Sequence, residues 1–385
     1  MSRLDSLHAA LDELDASHLR RVRRDLESPC SPHAIINGRT ITAFCSNDYL
    51  GLAADSRLAD ALAEGARRWG AGAGASHLVC GHYAVQRELE ERLAAFVTCE
   101  RALVFSSGFM ANMGIIPALV GRGDAIFADR LNHASLIDGM LLSRAAMHRY
   151  PHLDMAALER QLAGSRAKTK LIISDAVFSM DGDIAPLREL MTLAERFDAW
   201  LLIDDAHGFG VLGPQGRGAL AEADISGERL IQMATLSKAA GVSGAFVAGE
   251  ATVIEWLMQK ARTYLFTTGS PPALAHALLA SAALIEASDE RRAHLAALIK
   301  RLRSSLAQKR WKLLPSRTPI QPLIIGSNAD ALALGDALMK QGLWISAIRP
   351  PTVPAGSARL RITLSAAHTA DDVDRLTEAI NRLED

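Results

Sequence analysis

The sequence predicts an α/β protein that has a large domain with a mainly parallel sheet covered by helices, and a smaller C-terminal α+β domain. The chain has 385 residues, which suits one large domain plus a smaller one. Between about residues 57 and 270, short apolar runs alternate with helical patterns, as in a parallel sheet covered on both faces. After "GSPP" (269–272), long Ala/Leu-rich helical patterns replace this alternation.

Residues 1–56 are assigned to an N-terminal helix and arm. Apolar and charged positions alternate at helical spacing over residues 3–27, which predicts an exposed helix. Its end carries a run of arginines: Arg20, Arg21, Arg23 and Arg24. This run is either part of a solvated face, which the pattern alone favours, or a binding patch for phosphate or carboxylate.

The large domain is assigned to residues 57–270. The apolar runs predict strands at 102–105, 125–128, 171–174, 200–203, 231–234 and 245–248. The helical patterns predict helices at 84–97, 109–120, 154–163 and 186–197. Ligands of such sheets bind beyond the carboxyl ends of the strands, so polar residues that directly follow a strand are candidates for a site.

The C-terminal domain is assigned to residues 271–385. Helical patterns fill 273–309, and a strand at 320–325, a helix at 329–341, strands at 343–347 and 358–364, and a final helix from residue 369 follow. Thr369 with Asp371 and Asp372 suits the start of that last helix.

Composition narrows the function classes. Hydrophobic residues make up 49% of the chain and charged residues 22%, and the net charge of −1 provides no basic field for nucleic acid. No run approaches 18 apolar residues and the N-terminus lacks an apolar signal core, so we expect no membrane span and a cytoplasmic location. Four scattered cysteines without a C-x-x-C pair predict neither a disulfide framework nor a zinc site.

Two predicted strand ends carry residue types that suit pyridoxal 5'-phosphate. In "LLIDDAHGFG" (201–210) a strand runs into Asp204, Asp205 and His207, and buried charge is costly unless it is paired. In "TLSKAAG" (235–241) Lys238 directly follows another strand, where a desolvated amine can form a Schiff base. An upstream acid such as Asp204 would pair with the pyridinium nitrogen, and His207 would contact the phenolic oxygen. Asp205 is interpreted as structural.

Two further stretches complete the candidate cofactor site. "ALVFSSGFMANMG" (102–114) predicts a strand, a turn and a helix start, and a helix N-terminus with free N–H groups binds phosphate. Gly108 permits close backbone approach there. "DRLNHASLIDG" (129–139) places His133 after another strand, where it is either structural or stacked on the pyridine face.

Alternatives remain at this point. The glycine-rich stretch 70–82 follows a helical run rather than a strand, which argues against a dinucleotide site and favours a flexible loop near the substrate. Asp204, Asp205 and His207 would also suit the metal of a metallohydrolase, although this leaves Lys238 unexplained. A third alternative is a non-catalytic module that keeps the cofactor as a sensor.

Ordered motifs along nearly the whole chain resemble the α-oxoamine synthases, a branch of the fold-type I pyridoxal-phosphate enzymes. The motifs are "CSNDYLGLA" (45–53), "SSGFMAN" (106–112), "DRLNHASL" (129–136), "VFSMDGDIAPL" (177–187), "IDDAHGFGVLGPQGRG" (203–218), "TLSKAAG" (235–241) and "ARLRITLSAAHT" (358–369).

The resemblance implies a role for each matching residue. It implies that Lys238 carries the cofactor, and that Asp204, His207 and His133 contact its ring. The remaining cofactor contacts that it implies are Gly108 and Phe109 through their backbone, Ser179, Thr235 and, across the interface of a homodimer, Thr267 and Thr268. The substrate contacts that it implies are Asn47 and Arg361 at an amino-acid carboxylate, His133 over the ring, and Arg21, Arg349 and Thr352 at an acyl substrate.

The stretch "AIRPPTVPAG" (347–356) is typical of the family members that condense L-alanine with pimeloyl-CoA or pimeloyl-acyl carrier protein in biotin biosynthesis. It argues against relatives of the 5-aminolevulinate synthase, 2-amino-3-ketobutyrate ligase and serine palmitoyltransferase types. Two positions depart from the family pattern. Leu153 replaces the Asn of a His-Asn-Asp motif, and Ala240 stands where larger residues are common. We expect Leu153 to change local structure and Ala240 to change packing near Lys238.

Overall fold

The computed structural model describes residues 2–384, which divide into two compact units. The sheet unit comprises Leu50–Ser179 and Ile184–Glu290. The terminal unit comprises the described residues up to Tyr49, the segment Met180–Asp183, and the described residues from Arg291. The division into domains at residues 56 and 270 stays a prediction.

The strands and helices follow one another along both units. The strands are β1 (His33–Ile36), β2 (Arg39–Ala43), β3 (Arg101–Phe105), β4 (Ala125–Asp129), β5 (Ala146–Tyr150), β6 (Lys170–Asp175), β7 (Ala199–Asp204), β8 (Leu230–Thr235), β9 (Ala245–Gly249), β10 (Lys312–Leu313), β11 (Ile320–Gly326), β12 (Leu343–Trp344), β13 (Ser346–Ile348) and β14 (Ala358–Thr363). The helices are α1 (Arg3–Ala16), α2 (Ser56–Trp69), α3 (Ala84–Phe96), α4 (Gly108–Leu119), α5 (Ala134–Ser143), α6 (Met155–Gly164), α7 (Leu187–Arg196), α8 (Ala219–Ala223), α9 (Ala251–Lys260), α10 (Arg262–Leu265), α11 (Pro272–Glu286), α12 (Asp289–Ser305), α13 (Asn328–Lys340) and α14 (Ala370–Glu384).

Within residues 2–384, the sheet unit holds a seven-stranded sheet in the order β3-β9-β8-β7-β6-β4-β5. Strands β5, β4, β6, β7 and β8 are parallel, whereas β9 is antiparallel to both of its neighbours. The α/β fold with a mainly parallel sheet is therefore confirmed. Because their carboxyl ends meet at one edge, the residues that follow β4, β6, β7 and β8 lie close together.

The central strands form because their residues are apolar on both faces. Every residue of β4, β8 and β9 is buried, as expected for strands covered on both sides. Ile126, Leu171, Leu202, Ile231 and Val247 belong to one apolar cluster that also includes side chains of α4 and α5. Burying one such side chain contributes about 1.5–3 kcal/mol, so this core holds the strand ends firmly in register.

In the terminal unit, the described strands form two smaller sheets. A three-stranded sheet has the order β1-β2-β12, and a four-stranded sheet has the order β10-β11-β14-β13. The strand predicted at 343–347 is wrong as one element, because β12 pairs with β2 while β13 pairs with β14. The buried Ile345 separates these two short strands.

The helix predicted over 3–27 is also wrong in its second half, because α1 ends at Ala16. His18 has a left-handed backbone (φ 56°), which stops helical hydrogen bonding. Contacts within the terminal unit then hold the following segment: Asn328 donates to the Ser17 carbonyl, and Arg349 donates to the His18 carbonyl. The arginines after α1 therefore lie on an irregular arm and not on a helical face.

Among the helices of residues 2–384, none combines the length and the apolar character that a membrane crossing requires.

Candidate active site

Four parallel strands direct polar residues to one edge of the sheet. Asp175, the last residue of β6, lies opposite Asp204, the last residue of β7. Thr235 ends β8, and His133 begins the turn into α5 after β4. The strand register thus gathers residues that are up to about a hundred positions apart in sequence.

Lys238 and His207 are in direct contact at this edge. The Lys238 Nζ atom lies 2.8 Å from His207 Nε2. Lys238 sits in the turn between β8 and β9, which is closed by the hydrogen bond from the Leu236 N–H to the Gly244 carbonyl (2.8 Å). His207 is almost fully buried and Lys238 is partly buried, so the amine is held against a buried imidazole.

Asp204 is a buried carboxylate held by neutral donors. Its Oδ1 atom accepts the Ala206 N–H (3.0 Å), and its Oδ2 atom accepts from Asn112 Nδ2 (2.8 Å). The side chain is 4% exposed, and no cationic side chain of residues 2–384 lies within ion-pair distance of it. A buried carboxylate without a cation fits the protonated nitrogen of a pyridine ring, because such a cation would supply the missing charge.

His133 lies beside this acid pair. Its backbone N–H donates to Asp175 Oδ2 (2.8 Å), and its ring caps the start of α5. Burial and the neighbouring Asp204 charge raise the pKa of Asp175 well above its usual range. Burial lowers the pKa of His133, while the Asp204 charge opposes this shift. A neutral imidazole that retains some exposure is suited to stacking on a flat ring.

The N-terminus of α4 offers backbone donors for an anion. Ser107 caps this 12-residue helix, since its side chain accepts the Met110 N–H (3.2 Å) and its carbonyl accepts the Ala111 N–H (3.0 Å). The N–H groups of Gly108 and Phe109 have no acceptor among the described residues, as is usual in the first turn. A Cβ on Gly108 would come no closer than 3.6 Å to any described side chain, and Thr235 is among its neighbours. This geometry fits a phosphate group.

Three other predicted cofactor residues lie outside the group of strand-end residues described above. Ser179 is half-buried four residues beyond β6. Thr267 is half-buried and Thr268 is exposed after α10, and within residues 2–384 neither hydroxyl bonds to the strand-end residues. The roles of these three residues therefore stay predictions, as do those of the other site residues.

Arg361 and Asn47 lie together in the terminal unit. Arg361 is 5% exposed on β14, and its Nη1 atom donates to Asn47 Oδ1 (3.0 Å) and Thr363 Oγ1 (3.0 Å). The Tyr49 hydroxyl also donates to Asn47 Oδ1 (3.2 Å). Burial raises the pKa of Tyr49, and the Arg361 charge opposes that shift. This arrangement fixes a guanidinium in a buried position, as bidentate binding of a carboxylate requires.

Arg21, Arg349 and Thr352 also meet in the terminal unit. Together with Leu19 and Ile348 they line a small cavity of about 50 Å³. Arg21 Nη2 lies 3.5 Å from Thr352 Oγ1. Burial lowers the pKa of Arg349, and the nearby Arg21 charge acts in the same direction. Two cations around one small cavity are suited to an anionic group.

The metallohydrolase alternative finds no support in the geometry. Asp205 Oδ2 accepts the Ala219 N–H (2.9 Å) and Gln232 Nε2 (3.0 Å), so this carboxylate is used inside the fold. Burial raises the pKa of Asp205 well above its usual range. In the described part of the chain, no three His, Cys, Asp or Glu side chains form a metal-ligating group.

Three residues of the site were not predicted from the sequence: Asn112, Ser135 and Asp175. Asp175 had a usable signal, because "LIISD" (171–175) ends a buried strand in an acid as "LLID" (201–204) does. Asn112 and Ser135 lie on apolar helices, and only the packing of α4 against α5 brings them together.

Comparisons with known proteins agree with this geometry. The model of the family described as aminotransferase class I and II matches residues 39–380. An 8-amino-7-oxononanoate synthase from Aromatoleum aromaticum is 70% identical over 381 residues, which cover 99% of each chain. A serine palmitoyltransferase structure from S. paucimobilis with a bound PLP–myriocin aldimine has a TM-score of 0.93 at 29% identity and covers 99% of this chain and 97% of that one. A structure of 8-amino-7-oxononanoate synthase from Francisella tularensis has a TM-score of 0.78 at 33% identity and covers 89% of this chain and 98% of that one.

Proposed function

Because the chain belongs to the aminotransferase class I and II family and, within it, to the 8-amino-7-oxononanoate synthases, we propose how its residues perform that reaction. It is a pyridoxal-phosphate-dependent acyltransferase of biotin biosynthesis. L-Alanine and a pimeloyl thioester condense to 8-amino-7-oxononanoate, with release of CO₂ and the free thiol. The acyl group arrives on coenzyme A or on an acyl carrier protein.

One observation supports this proposal most directly: Lys238 Nζ lies 2.8 Å from His207 Nε2 in the same unit as the buried Asp204, which has no cationic partner among the described residues. A nucleophilic amine beside an imidazole and a buried acid is the set of groups that pyridoxal phosphate needs. When bound, pyridoxal phosphate supplies an aldehyde that captures an amine and a protonated ring that withdraws electrons from the substrate α-carbon.

The residues of the sheet unit then have distinct tasks in holding that cofactor. Lys238 would be the point of covalent attachment, and Asp204 would keep the ring nitrogen protonated. His207 would donate to the phenolic oxygen, and His133 would stack on the ring. The N–H groups of Gly108 and Phe109 would donate to the phosphate, and Ser179 and Thr235 would line the same site.

Lys238 also moves protons during the reaction. Its Nζ atom would remove the α-proton of the substrate and later return one. A positioned side-chain amine can act as the general base and the general acid in these transfers. Small neighbours give the lysine room to move, since Ala239, Ala240 and Gly241 follow it in the turn.

Arg361 and Asn47 hold the carboxylate of L-alanine in this proposal. The Arg361 guanidinium is fixed by Asn47 and Thr363, so it can present a planar fork to a carboxylate. Arg21, Arg349 and Thr352 bind the acyl substrate, and the two arginines favour its terminal carboxylate over a neutral chain end.

We further propose that the protein acts as a homodimer. Large apolar side chains are exposed around α4 and the two helices that pack on it, α5 and α10. They are Phe109 (43% exposed), Leu141 (57%), Leu142 (54%) and Phe266 (71%). Exposed apolar groups in such number mark an association surface. Thr267 and Thr268 follow Phe266, and in the dimer they reach the phosphate of the partner's site. Sedimentation equilibrium tests this, and a monomer at micromolar concentration would contradict it.

The function is tested by assaying a panel of amino acids against a panel of acyl thioesters, with mass-spectrometric detection of the product. L-Alanine with a pimeloyl thioester should give 8-amino-7-oxononanoate and one CO₂ per product. Glycine with succinyl-CoA or acetyl-CoA, and L-serine with palmitoyl-CoA, are the matched comparisons. A higher kcat/KM for any of these three pairs would overturn the proposal.

A further inference from the structure

We propose that Asn112 and Ser135 are positioning residues that connect Asp204 to His133 through one directed hydrogen-bond chain. The chain fixes the tautomer of His133 and keeps one oxygen of Asp204 as a hydrogen-bond acceptor. This inference rests on the proposed function for its purpose, whereas its geometry concerns only side chains of the sheet unit.

Asn112 is the centre of the chain. Its Nδ2 atom donates to Asp204 Oδ2 (2.8 Å) and to Ser135 Oγ (2.9 Å). Ser135 Oγ lies 2.8 Å from Nδ1 of His133. Asn112 and Ser135 are 0% and 1% exposed, so water does not compete for these bonds. An amide nitrogen has two hydrogens, and each of the two contacts uses one of them.

The orientation of the Asn112 amide follows from these partners. In the flipped orientation the amide oxygen would face the carboxylate of Asp204, and two acceptors would repel each other. In the orientation present, Asn112 Oδ1 is buried without a hydrogen-bond donor among the described residues. Leaving a buried carbonyl oxygen unsatisfied costs about 1–3 kcal/mol, and a buried unsatisfied group calls for a functional reason. We infer that the fold tolerates this cost because both amide hydrogens are needed elsewhere.

The direction of the remaining bonds defines the state of His133. The Ser135 N–H also points at His133 Nδ1 (3.3 Å), so that ring nitrogen accepts and carries no proton. The Ser135 hydroxyl, which already accepts from Asn112, donates its own hydrogen to the same Nδ1 atom. The neutral ring of His133 therefore carries its proton on Nε2.

This state has a consequence for the reaction. A fixed Nε2–H tautomer gives the stacked imidazole one donor of known direction, which can bind an oxygen of the substrate. At the other end of the chain, the Asn112 Nδ2 donor fixes the orientation of the Asp204 carboxylate and keeps its Oδ2 atom as a hydrogen-bond acceptor. Asn112 thus orients two groups of the site: Asp204 directly, and His133 through Ser135.

The first test measures the tautomer of His133 in the full-length protein without cofactor. The probe is the ¹⁵N chemical shift of both ring nitrogens, assigned by comparison with His133→Asn. We expect an unprotonated Nδ1 and a protonated Nε2 in the wild type. Ser135→Ala should move the Nδ1 shift toward a mixture of tautomers. Ser143→Ala is the matched control, since Ser143 is a buried serine on the same helix that donates to the Met140 carbonyl instead.

Equal ¹⁵N shifts in Ser135→Ala, Ser143→Ala and the wild type would overturn the inference, whatever the function of the protein. Ser135→Thr retains the hydroxyl and should restore the wild-type shifts. If Ser135→Ala does not fold, Ser135→Cys replaces it in the same comparison, because a thiol is a much weaker donor.

The second test uses the holoenzyme and the other end of the chain. Asn112→Asp places a second carboxylate against Asp204, whereas Asn112→Ala only removes the donor. We expect both variants to weaken pyridoxal phosphate binding, Asn112→Asp by roughly a hundredfold and Asn112→Ala by about tenfold, as fold-changes in Kd. Binding equal to the wild type in both variants would contradict the inference. If the wild type binds pyridoxal phosphate but does not condense L-alanine with a pimeloyl thioester, only the proposed function is contradicted.

Discussion

The Lys238 amine and the His207 imidazole share a hydrogen bond of 2.8 Å at the carboxyl edge of the central sheet. The two residues are 31 positions apart in sequence, and parallel pairing of β7 with β8 brings them together. Asp204 ends β7 only three residues before His207. The reactive amine, the imidazole and the acid thus come from the ends of two adjacent strands, in which every residue except the half-buried Trp200 is buried.

Asp204→Asn should retain the fold and lose most activity, by at least about a hundredfold in kcat. An amide cannot keep the ring nitrogen protonated, and each pKa unit of lost pairing corresponds to about 1.4 kcal/mol. The control is Asp205→Asn. Because burial raises the pKa of Asp205 far above its usual range, the neutral amide resembles the state it already has. Steady-state kinetics of both variants check this, and near-normal turnover in Asp204→Asn would refute the pairing.

Substrate binding should divide between two groups of residues in the terminal unit. Arg361→Ala should raise the KM for L-alanine by about a hundredfold and leave the KM for the pimeloyl thioester nearly unchanged. Arg21→Ala should do the reverse. Arg361→Lys should recover only part of the loss, because a point charge does not replace the planar fork. Measuring both KM values decides the matter. If both alanine variants act only on the thioester, this division of the site is mistaken.

Leu153 should be a position where the protein can be stabilised. Its backbone is left-handed (φ 58°), and its N–H donates to Asp129 Oδ2 (2.9 Å), so this conformation is held in place. An ordinary residue with a Cβ pays about 1–2 kcal/mol in that region, whereas Asn adopts it readily because its short polar side chain can hydrogen-bond locally. Leu153→Asn should therefore raise the free energy of unfolding by about 1 kcal/mol. Leu153→Ala keeps the strained Cβ and serves as the control in denaturant titrations. No gain for Asn over Ala would contradict the strain argument.

Glu90 should make stability depend on pH. Its side chain on α3 is 14% exposed and accepts the Val104 N–H (2.9 Å), and desolvation raises its pKa from 4.5 to about 7. A raised pKa in the folded state means that its contribution to stability is present below pH 4.5 and is lost as the pH rises to about 7. The glutamine of Glu90→Gln stays neutral. The free energy of unfolding of this variant should therefore rise relative to the wild type across this window, to a plateau about 3 kcal/mol higher.

The matched control for that experiment is Glu91→Gln, on the same helix. Glu91 is exposed and forms a surface ion pair with Arg87 (3.7 Å), which contributes little to stability. Free energies of unfolding measured from pH 4 to 8 should give parallel curves for Glu91→Gln and the wild type. A Glu90→Gln curve that also runs parallel to the wild type would rule out the proposed titration.

The central strands and their ends could be predicted because each is an apolar run closed by polar residues. The same rule missed β5, an edge strand whose residues Ala146 to Arg149 are exposed, since such a strand has no apolar signature. It also merged β12 and β13, because local sequence does not show which sheet a short strand joins. The helix over residues 17–27 failed for a similar reason: its pattern is helical, but hydrogen bonds of Ser17 and His18 to distant residues determine its course.

Candidate site residues were predictable where titratable side chains directly follow apolar strands, as Asp204, His207 and Lys238 do. Asn112 and Ser135 were not predictable, because a single polar residue on an apolar helix does not indicate a function until its hydrogen-bond partner is known. Their contact depends on how α4 packs on α5, and packing between helices is not readable from periodicity. The family resemblance supplied the roles of Arg361 and Asn47, whose hydrogen bond joins β14 to a residue 314 positions earlier.

The role of Lys238 is tested most directly by locating the covalently held cofactor. The protein is loaded with pyridoxal phosphate, reduced with borohydride, digested and mapped by mass spectrometry. We expect one phosphopyridoxyl adduct, on the peptide that contains Lys238, and its disappearance in Lys238→Ala, which should still bind the cofactor weakly. An adduct on a different lysine, or an undiminished adduct in Lys238→Ala, would contradict it.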